Sequence, residues 1–257
     1  MISANVQLGP LLKKLRQVPR ETAQIMSKAV TDDARGFVKD IMAVTPPAMG
    51  KANVEAKKRG EAAVARDIRK VYATPGKLYE MIQTNAPKLA APFWAAVKAK
   101  DWQRANRLAR SANVPEIIDL GSDDGLVHQS RRKKGRVTGK QPSAGVQDVR
   151  YLKAYIKTMQ ARVGLLAAGF KPAALRLGAS MPAWISRHSA SIGTISVNPN
   201  LERFTIVISN RARHGSGNDL SRRIGWVLKS EKRKKRLQNS IRYGIRAALK
   251  KSQLQLA

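Results

Sequence analysis

The chain of 257 residues carries 49 Lys and Arg against 17 Asp and Glu, which gives a net charge of +32. Its 43% hydrophobic residues suffice for a buried core, and the absence of cysteine excludes disulfides, thiolate metal sites and a cysteine nucleophile. No apolar stretch approaches the roughly 18 residues of a membrane span, and the first ten residues lack a basic segment followed by an apolar one, so we expect neither membrane insertion nor secretion.

The first residues predict two helices. Leucines recur at helical spacing from Leu8 to Leu15, and a longer amphipathic pattern runs from Ile25 to Met42. Pro19 suits the first turn of the second helix, and Thr45-Pro46-Pro47 ends it. We therefore expect a short helix followed by a long one.

A helical insert is predicted next. Residues 48–60 have two glycines and no sustained apolar face, which favours a flexible loop or a weak helix before a helix at about 61–73. The helical pattern over 77–112 is divided by Pro87 and Pro92. The apolar anchors expected for this insert are Phe93, Trp94, Val97, Trp102 and Leu108.

Residues 121–148 lack apolar periodicity and include the run Arg131-Arg132-Lys133-Lys134-Gly135-Arg136, which predicts a long, mobile, basic loop. A strong amphipathic helix from Val149 to Leu166 follows and is expected to end at Gly169. A shorter helix is predicted at 172–178.

The strand patterns lie near the C-terminal end. Thr194–Asn198 and Phe204–Asn210 alternate apolar and polar residues as half-buried strands do, with a turn at Pro199-Asn200. A lone hairpin is marginal in water, so we expect it to pack on the helices, with a free edge open to another subunit. Helical pattern resumes over about 219–250. The fold class expected is α+β, mostly helical, with long amphipathic helices packed on a small antiparallel hairpin or sheet at about 193–210.

Catalytic signatures are scarce. No glycine-rich loop matches a phosphate-binding fingerprint. Asp119, Asp123, Asp124 and His128 lie within ten residues and are potential ligands of a divalent metal, but Asp-Asp-Gly is also ordinary turn chemistry. We expect no enzyme and no cofactor or metal, with an enzyme built on this segment as the minority hypothesis. The histidines stand at positions that match no zinc-binding spacing: His128, His188 and His214.

The charge is concentrated in the second half, because residues 121–257 hold 28 basic and 6 acidic side chains. Such runs are typical of a surface that binds the phosphate backbone without reading sequence, and they contain no interleaved aromatics for base stacking. Solvated faces or docking to acidic proteins are the alternative. The candidate contacts with a partner or with DNA are Arg131, Arg132, Lys133, Lys134, Arg136, Lys140, Arg222, Arg223, Lys232, Arg233, Lys234, Lys235 and Arg236.

A second set of candidates is apolar. Buried aromatic residues often dominate binding energy, although core packing is the commoner role of such side chains. The hairpin residues are included because a strand edge needs a neighbour. The candidate subunit-interface residues are Trp184, Phe204, Ile206, Ile208 and Trp226.

The order of segments resembles a known family. The helix ending in Val44-Thr45-Pro46-Pro47-Ala48-Met49-Gly50-Lys51, then AKKRGEAAVARDIRKVY, YLKAYIKTMQARVGLLAAGF, MPAWISRH and FTIVISN, is similar to tailed-bacteriophage neck or tail-completion proteins, often called minor tail proteins. The resemblance covers about residues 8–73 and 148–250. The family is structural, so no catalytic residue carries over.

The resemblance implies a virion protein at the head-to-tail junction, assembled in the host cytoplasm as a homo-oligomeric ring of six or twelve copies. Its partners would be the connector and tail-tube proteins, with nonspecific contact to genomic DNA in the channel. The alternative is a nonspecific nucleic-acid-binding protein that uses the basic segments 131–140 and 222–236. The expected domains are a helical part at 1–76, an insert with a mobile basic loop at 77–147, and a part at 148–257 that completes the core domain.

Overall fold

The computed structural model describes residues 2–5, 20–48, 50–123, 125–133, 136–139, 141–200, 204–212 and 217–255. Side chains are described within 23–48, 50–121, 125–132, 137–139, 141–200, 204–212 and 220–247. The helix predicted at Leu8–Leu15 lies outside the described residues.

The described chain is mostly helical with short strands, which confirms the α+β class. The helices are α1 (Arg20–Val44), α2 (Val54–Val71), α3 (Pro75–Asn85), α4 (Pro87–Lys98), α5 (Trp102–Ser111), α6 (Leu120–Asp123), α7 (Leu126–Ser130), α8 (Val149–Ala161), α9 (Leu165–Ala168), α10 (Lys171–Leu177), α11 (Ala183–Ser186), α12 (Gly217–Lys229) and α13 (Glu231–Gln255). The strands are β1 (Ile2–Asn5), β2 (Tyr72–Ala73), β3 (Ile117–Ile118), β4 (Arg132–Lys133), β5 (Arg136–Val137), β6 (Ala144–Val146), β7 (Gly193–Asn198) and β8 (Thr205–Asn210).

The chain divides into two compact units. The terminal unit comprises Met1–Lys58 and Val163–Ala257, and the middle unit comprises Arg59–Arg162. The middle unit therefore contains the predicted insert at 77–147 and extends beyond it on both sides. The extension has a packing reason, since Ile68 of α2 and Leu152 of α8 belong to one buried cluster with the strand residue Val146.

The terminal unit is built on the long helix α1. Its buried face, which includes Val30, Phe37 and Ile41, packs against α10, α12 and the inward side chains of β8. β8 is the central strand of a three-stranded antiparallel sheet in the order β1-β8-β7. The hairpin was predicted, and the third strand at Ile2–Asn5 was not.

That third strand pairs with the outer side of β8, so the free edge expected for the hairpin that carries Phe204, Ile206 and Ile208 lies on β7. Ile2 pairs with Asn210 on one side of β8, and Gly193 pairs with Asn210 on the other. Both edges of β8 are thus covered within the chain. The edge strand on the hairpin side is β7.

The helix α13 runs antiparallel to α1. Asp33 and Asp40 face Arg233 and Arg236 near the start of α13, whereas a Cβ added at Gly244 would meet Ile25, one turn from the start of α1. The close approach at Gly244 lets the two 25-residue helices lie side by side. The C-terminal helix is therefore packed through its inward face.

The segment 48–60, predicted as a flexible loop or a weak helix, is helical from Val54 onward, where Asn53 caps the helix by accepting a bond from the Ala56 N–H at 3.0 Å. The segment 121–148 is not a structureless loop where it is described, since β6 lies buried between β2 and β3 in a parallel sheet. Two- and three-residue strands are too short to leave a periodic sequence pattern.

Candidate interaction surface

The basic run Lys232–Arg236 is helical and is divided between the two faces of α13. Arg233 and Arg236 point inward, and Arg233 is buried with 9% of its surface exposed. Lys232, Lys234 and Lys235 are exposed. The two arginines are thus removed from the predicted set of partner contacts, because they have internal acidic partners.

Arg233 forms a forked ion pair with Asp33, which is 3% exposed. Its Nε donates to the Asp33 carboxylate at 2.9 and 3.2 Å, and its Nη2 donates at 2.5 Å. The remaining nitrogen, Nη1, donates to the Leu228 carbonyl at 3.2 Å, and the guanidinium lies 5.9 Å from the ring centre of Phe37. All three guanidinium nitrogens of Arg233 thus have hydrogen-bond acceptors, and the ion pair holds α13 on α1.

Arg236 extends the same network by one turn. Its Nη1 donates to Asp40 at 3.1 Å, and its Nη2 lies 3.8 Å from Asp33. Gly36 makes room for it, because a Cβ at that position would overlap the Arg236 guanidinium. The inward half of the basic run is therefore a structural element of the terminal unit.

The outward face of α13 carries an exposed cationic stripe, defined as Lys232, Lys235, Arg242 and Arg246. Together with the exposed Asn239, these residues fall within an arc of about 100° on the helix and span about 21 Å along it. Among the described residues no carboxylate pairs with the cationic stripe, whereas the neighbouring Lys234 bonds to Glu231 at 2.7 Å.

Two exposed aromatic residues lie on these C-terminal helices. Tyr243 is 77% exposed and flanks the cationic stripe, and Trp226 is 64% exposed on α12. Arg222 and Lys229, one turn on either side of Trp226, share its face and are exposed. Arg223 differs, since it donates to the Val44 carbonyl at 2.6 Å. Trp226 is thus placed on a surface, as a contact residue requires.

The other predicted interface residues belong to the core of the terminal unit. Trp184, Ile206 and Ile208 are 6%, 1% and 5% exposed. Phe204 is half-buried and packs against the same core. In this conformation the three buried side chains are inaccessible to a partner, which corrects their assignment as interface residues: core packing prevailed because the chain has few large apolar residues to fill its interior.

The basic loop residues have internal contacts where they are described. Arg131 donates from Nε to the Thr138 carbonyl at 2.9 Å, from Nη2 to the Gln141 carbonyl at 3.1 Å, and from Nη1 to Ser143 Oγ. Arg132 is half-buried. Arg131 thus closes the segment on itself. The predicted contact residues whose side chains lie outside the described part are Lys133, Lys134, Arg136 and Lys140.

The segment proposed as a minority metal site is dispersed. Asp119 accepts a bond from the Gly121 N–H at 2.9 Å, as an ordinary turn residue does, and His128 is buried. Within the described residues no group of three or more His, Asp or Glu is placed to hold a metal ion. The side chains of Asp123 and Asp124 lie outside the described part, as does His214, while His188 Nε2 lies 3.0 Å from the Val163 carbonyl.

His128 instead forms a buried polar cluster with two tyrosines. Its Nδ1 lies 3.1 Å from the Tyr155 hydroxyl, and its backbone N–H donates to the Tyr72 hydroxyl at 3.2 Å. Nε2 is buried with no hydrogen-bond partner among the described residues. Burial lowers the pKa of His128, the Arg132 charge lowers it further, and Asp67 opposes them.

The middle unit should therefore lose stability in mild acid. The unfolded chain takes up a proton near the ordinary histidine pKa of about 6.5, whereas folded His128 resists protonation, so the free energy of unfolding falls below that pH by up to about 1.4 kcal/mol per pH unit. We expect His128→Gln to flatten this slope between about pH 7 and pH 5, measured by urea unfolding with hydrogen exchange over Arg59–Arg162.

His188→Gln, in the terminal unit, is the control and should leave the slope of the middle unit unchanged. An undiminished slope in His128→Gln would show that another group drives the pH dependence.

Comparison with protein-family models, with curated proteins and with solved structures gives no match. Within the described residues, no helix is long and apolar enough to cross a membrane.

Proposed function

We propose that the chain is a structural protein of tailed-bacteriophage particles that forms a ring at the head-to-tail junction. The observation that carries the proposal is the order of elements along the chain. The long helix α1 and a proline-containing turn come before the insert, and α8, an antiparallel sheet and a C-terminal helix follow it. This is the order that the resemblance to neck and tail-completion proteins implies.

Two surface features of the terminal unit are compatible with such an assembly. β7 is an edge strand, and an edge strand offers unpaired backbone groups to a neighbouring copy. Trp226 is an exposed large aromatic residue of the kind that anchors interfaces. In a ring, every copy would contact its neighbour through the same pair of surfaces, so a single type of interface would close the assembly. Connector and tail-tube proteins would then occupy the two rims.

The salt dependence of self-association tests the ring. Each copy carries a charge of +32, so copies repel one another at low ionic strength, and screening should favour association. We expect native mass spectrometry and electron microscopy to show closed rings of several copies whose fraction rises from about 0.05 to 0.5 M salt. Trp226→Ala should reduce that fraction, whereas Leu175→Ala, at an equally exposed apolar residue of α10, should not.

A monomer at every salt concentration, up to the solubility limit of the protein, would contradict the proposal. So would open filaments instead of closed rings, since a joining role at the end of a tail requires closure.

A further inference from the structure

We propose that the cationic stripe on α13 binds the phosphate backbone of double-stranded DNA without reading its sequence. The inference names a partner for the proposed ring, but it concerns one helix face and holds equally for an isolated copy. It differs from the sequence-based prediction, because Arg242 and Arg246 replace the inward Arg233 and Arg236.

The arrangement of the stripe fits a regular polyanion. Lys232 and Lys235 lie about 4.5 Å apart along the helix axis, and Arg242 and Arg246 about 6 Å apart. Duplex DNA presents one charge per about 1.7 Å of its axis, so on the order of a dozen phosphates lie along the length of the stripe. Four cations on one straight face can therefore each approach a phosphate.

The cationic stripe is also fixed in an exposed position that an anion can reach. The ion pairs of Arg233 and Arg236 with Asp33 and Asp40 fix the inward face of α13 on α1. The exposed cations repel one another along the helix, and no described carboxylate forms an ion pair with them, because Glu231 pairs with Lys234. A phosphate backbone would relieve it without any change of backbone conformation.

Other occupants fit less well. A second copy also carries +32, so its approach is opposed by charge. A lipid surface requires an apolar face for insertion, whereas the exposed residues of the stripe are cationic and Asn239 between them is polar. Recognition of particular bases is not expected either. Tyr243 is the one exposed aromatic residue described beside the stripe, and the other exposed side chains of this helix are mostly long and flexible.

The test compares two variants of equal charge. In the stripe variant Lys232, Lys235, Arg242 and Arg246 are all replaced by Gln. The control variant carries the same number of exposed Arg→Gln changes in the middle unit, so both proteins lose four charges. The control positions are Arg66, Arg69, Arg104 and Arg107.

Binding to a duplex of about 30 base pairs is measured by fluorescence anisotropy over a salt series, because the slope of log K against log salt counts the phosphates neutralised. We expect the stripe variant to lose about 3 to 4 units of slope, at roughly 0.9 per phosphate, and the control variant less than 1. Two duplexes of unrelated sequence should bind alike.

An equal loss of slope in both variants would overturn the proposal, since the effect would then be one of net charge alone. An unchanged slope in the stripe variant would overturn it as well. If poly-glutamate bound as tightly as DNA through the same four residues, the partner would be an acidic protein. A variant with Lys and Arg exchanged at the four positions keeps the charge, and its slope should match the unmodified protein even if the Gln variant is unstable. If the ring proposal is wrong, the measured oligomer size will show it, whereas the salt slope of DNA binding does not depend on the ring.

Discussion

Replacing Asp33 by Ala should destabilise the terminal unit by about 3–5 kcal/mol, the cost of leaving a buried charge without its partner. Arg233 would remain buried among α1 and α12 residues, and its only described acidic partner is Asp33. Its bond to the Leu228 carbonyl and its contact with Phe37 do not neutralise the charge. The loss is measured by urea unfolding with hydrogen exchange resolved over α1 and α13.

The adjacent carboxylate supplies a matched control. Asp32 pairs with Arg35 at 3.1 Å, but both side chains are about 40% exposed, so Asp32→Ala should cost no more than about 1 kcal/mol. Equal effects of the two substitutions would show that the Asp33–Arg233 pair is no more important than a surface ion pair. Replacing both partners by apolar residues, Asp33→Leu with Arg233→Met, should recover much of the loss, because no charge is then left buried.

The basic run of α13 shows what the sequence could and could not predict. Positive charge at Lys232–Arg236 was evident, and helical spacing already places Lys232, Lys235, Arg242 and Arg246 on one side of a helix. The inward direction of Arg233 depends on Asp33, which is 200 residues away in the sequence. An ion pair between residues so far apart in the sequence leaves no local sequence pattern. The presence of a basic run therefore could not show which of its arginines are buried in ion pairs and which are exposed.

The sheets illustrate the same limit. Alternation over six residues revealed β7 and β8, and their predicted bounds agree with the structure to within one residue. β1 is four residues long and becomes a strand by pairing with Ser209 and its neighbours at the other end of the chain. The parallel strands β2, β3 and β6 are shorter still. Elements that depend on distant partners for their hydrogen bonds are those that sequence patterns miss.

Gly193→Ala should destabilise the terminal unit by about 3 kcal/mol, because a methyl group there has no space to enter. A Cβ on Gly193 would overlap the Gly169 carbonyl oxygen and lie 2.8 Å from that of Ser209, and both are backbone atoms. The turn that contains Gly169 cannot move away from Gly193, because Asn210 Nδ2 of β8 donates to the Leu166 carbonyl at 2.8 Å and holds the turn against the strand. The expected result is a lower urea midpoint and faster exchange in β7 and β8.

Gly225→Ala in α12 is the control, because nothing lies within 4 Å of a Cβ at that position. Alanine favours helix over glycine by about 0.5–1 kcal/mol, so this variant should be more stable than the unmodified protein. Opposite signs for two chemically identical substitutions in one unit would separate backbone contact from intrinsic propensity.

A neutral Gly193→Ala variant would mean that the turn before α10 does not pack against β7 in solution. Ring formation should then be compared in both variants, because the proposed edge at β7 requires its first residue to keep this position.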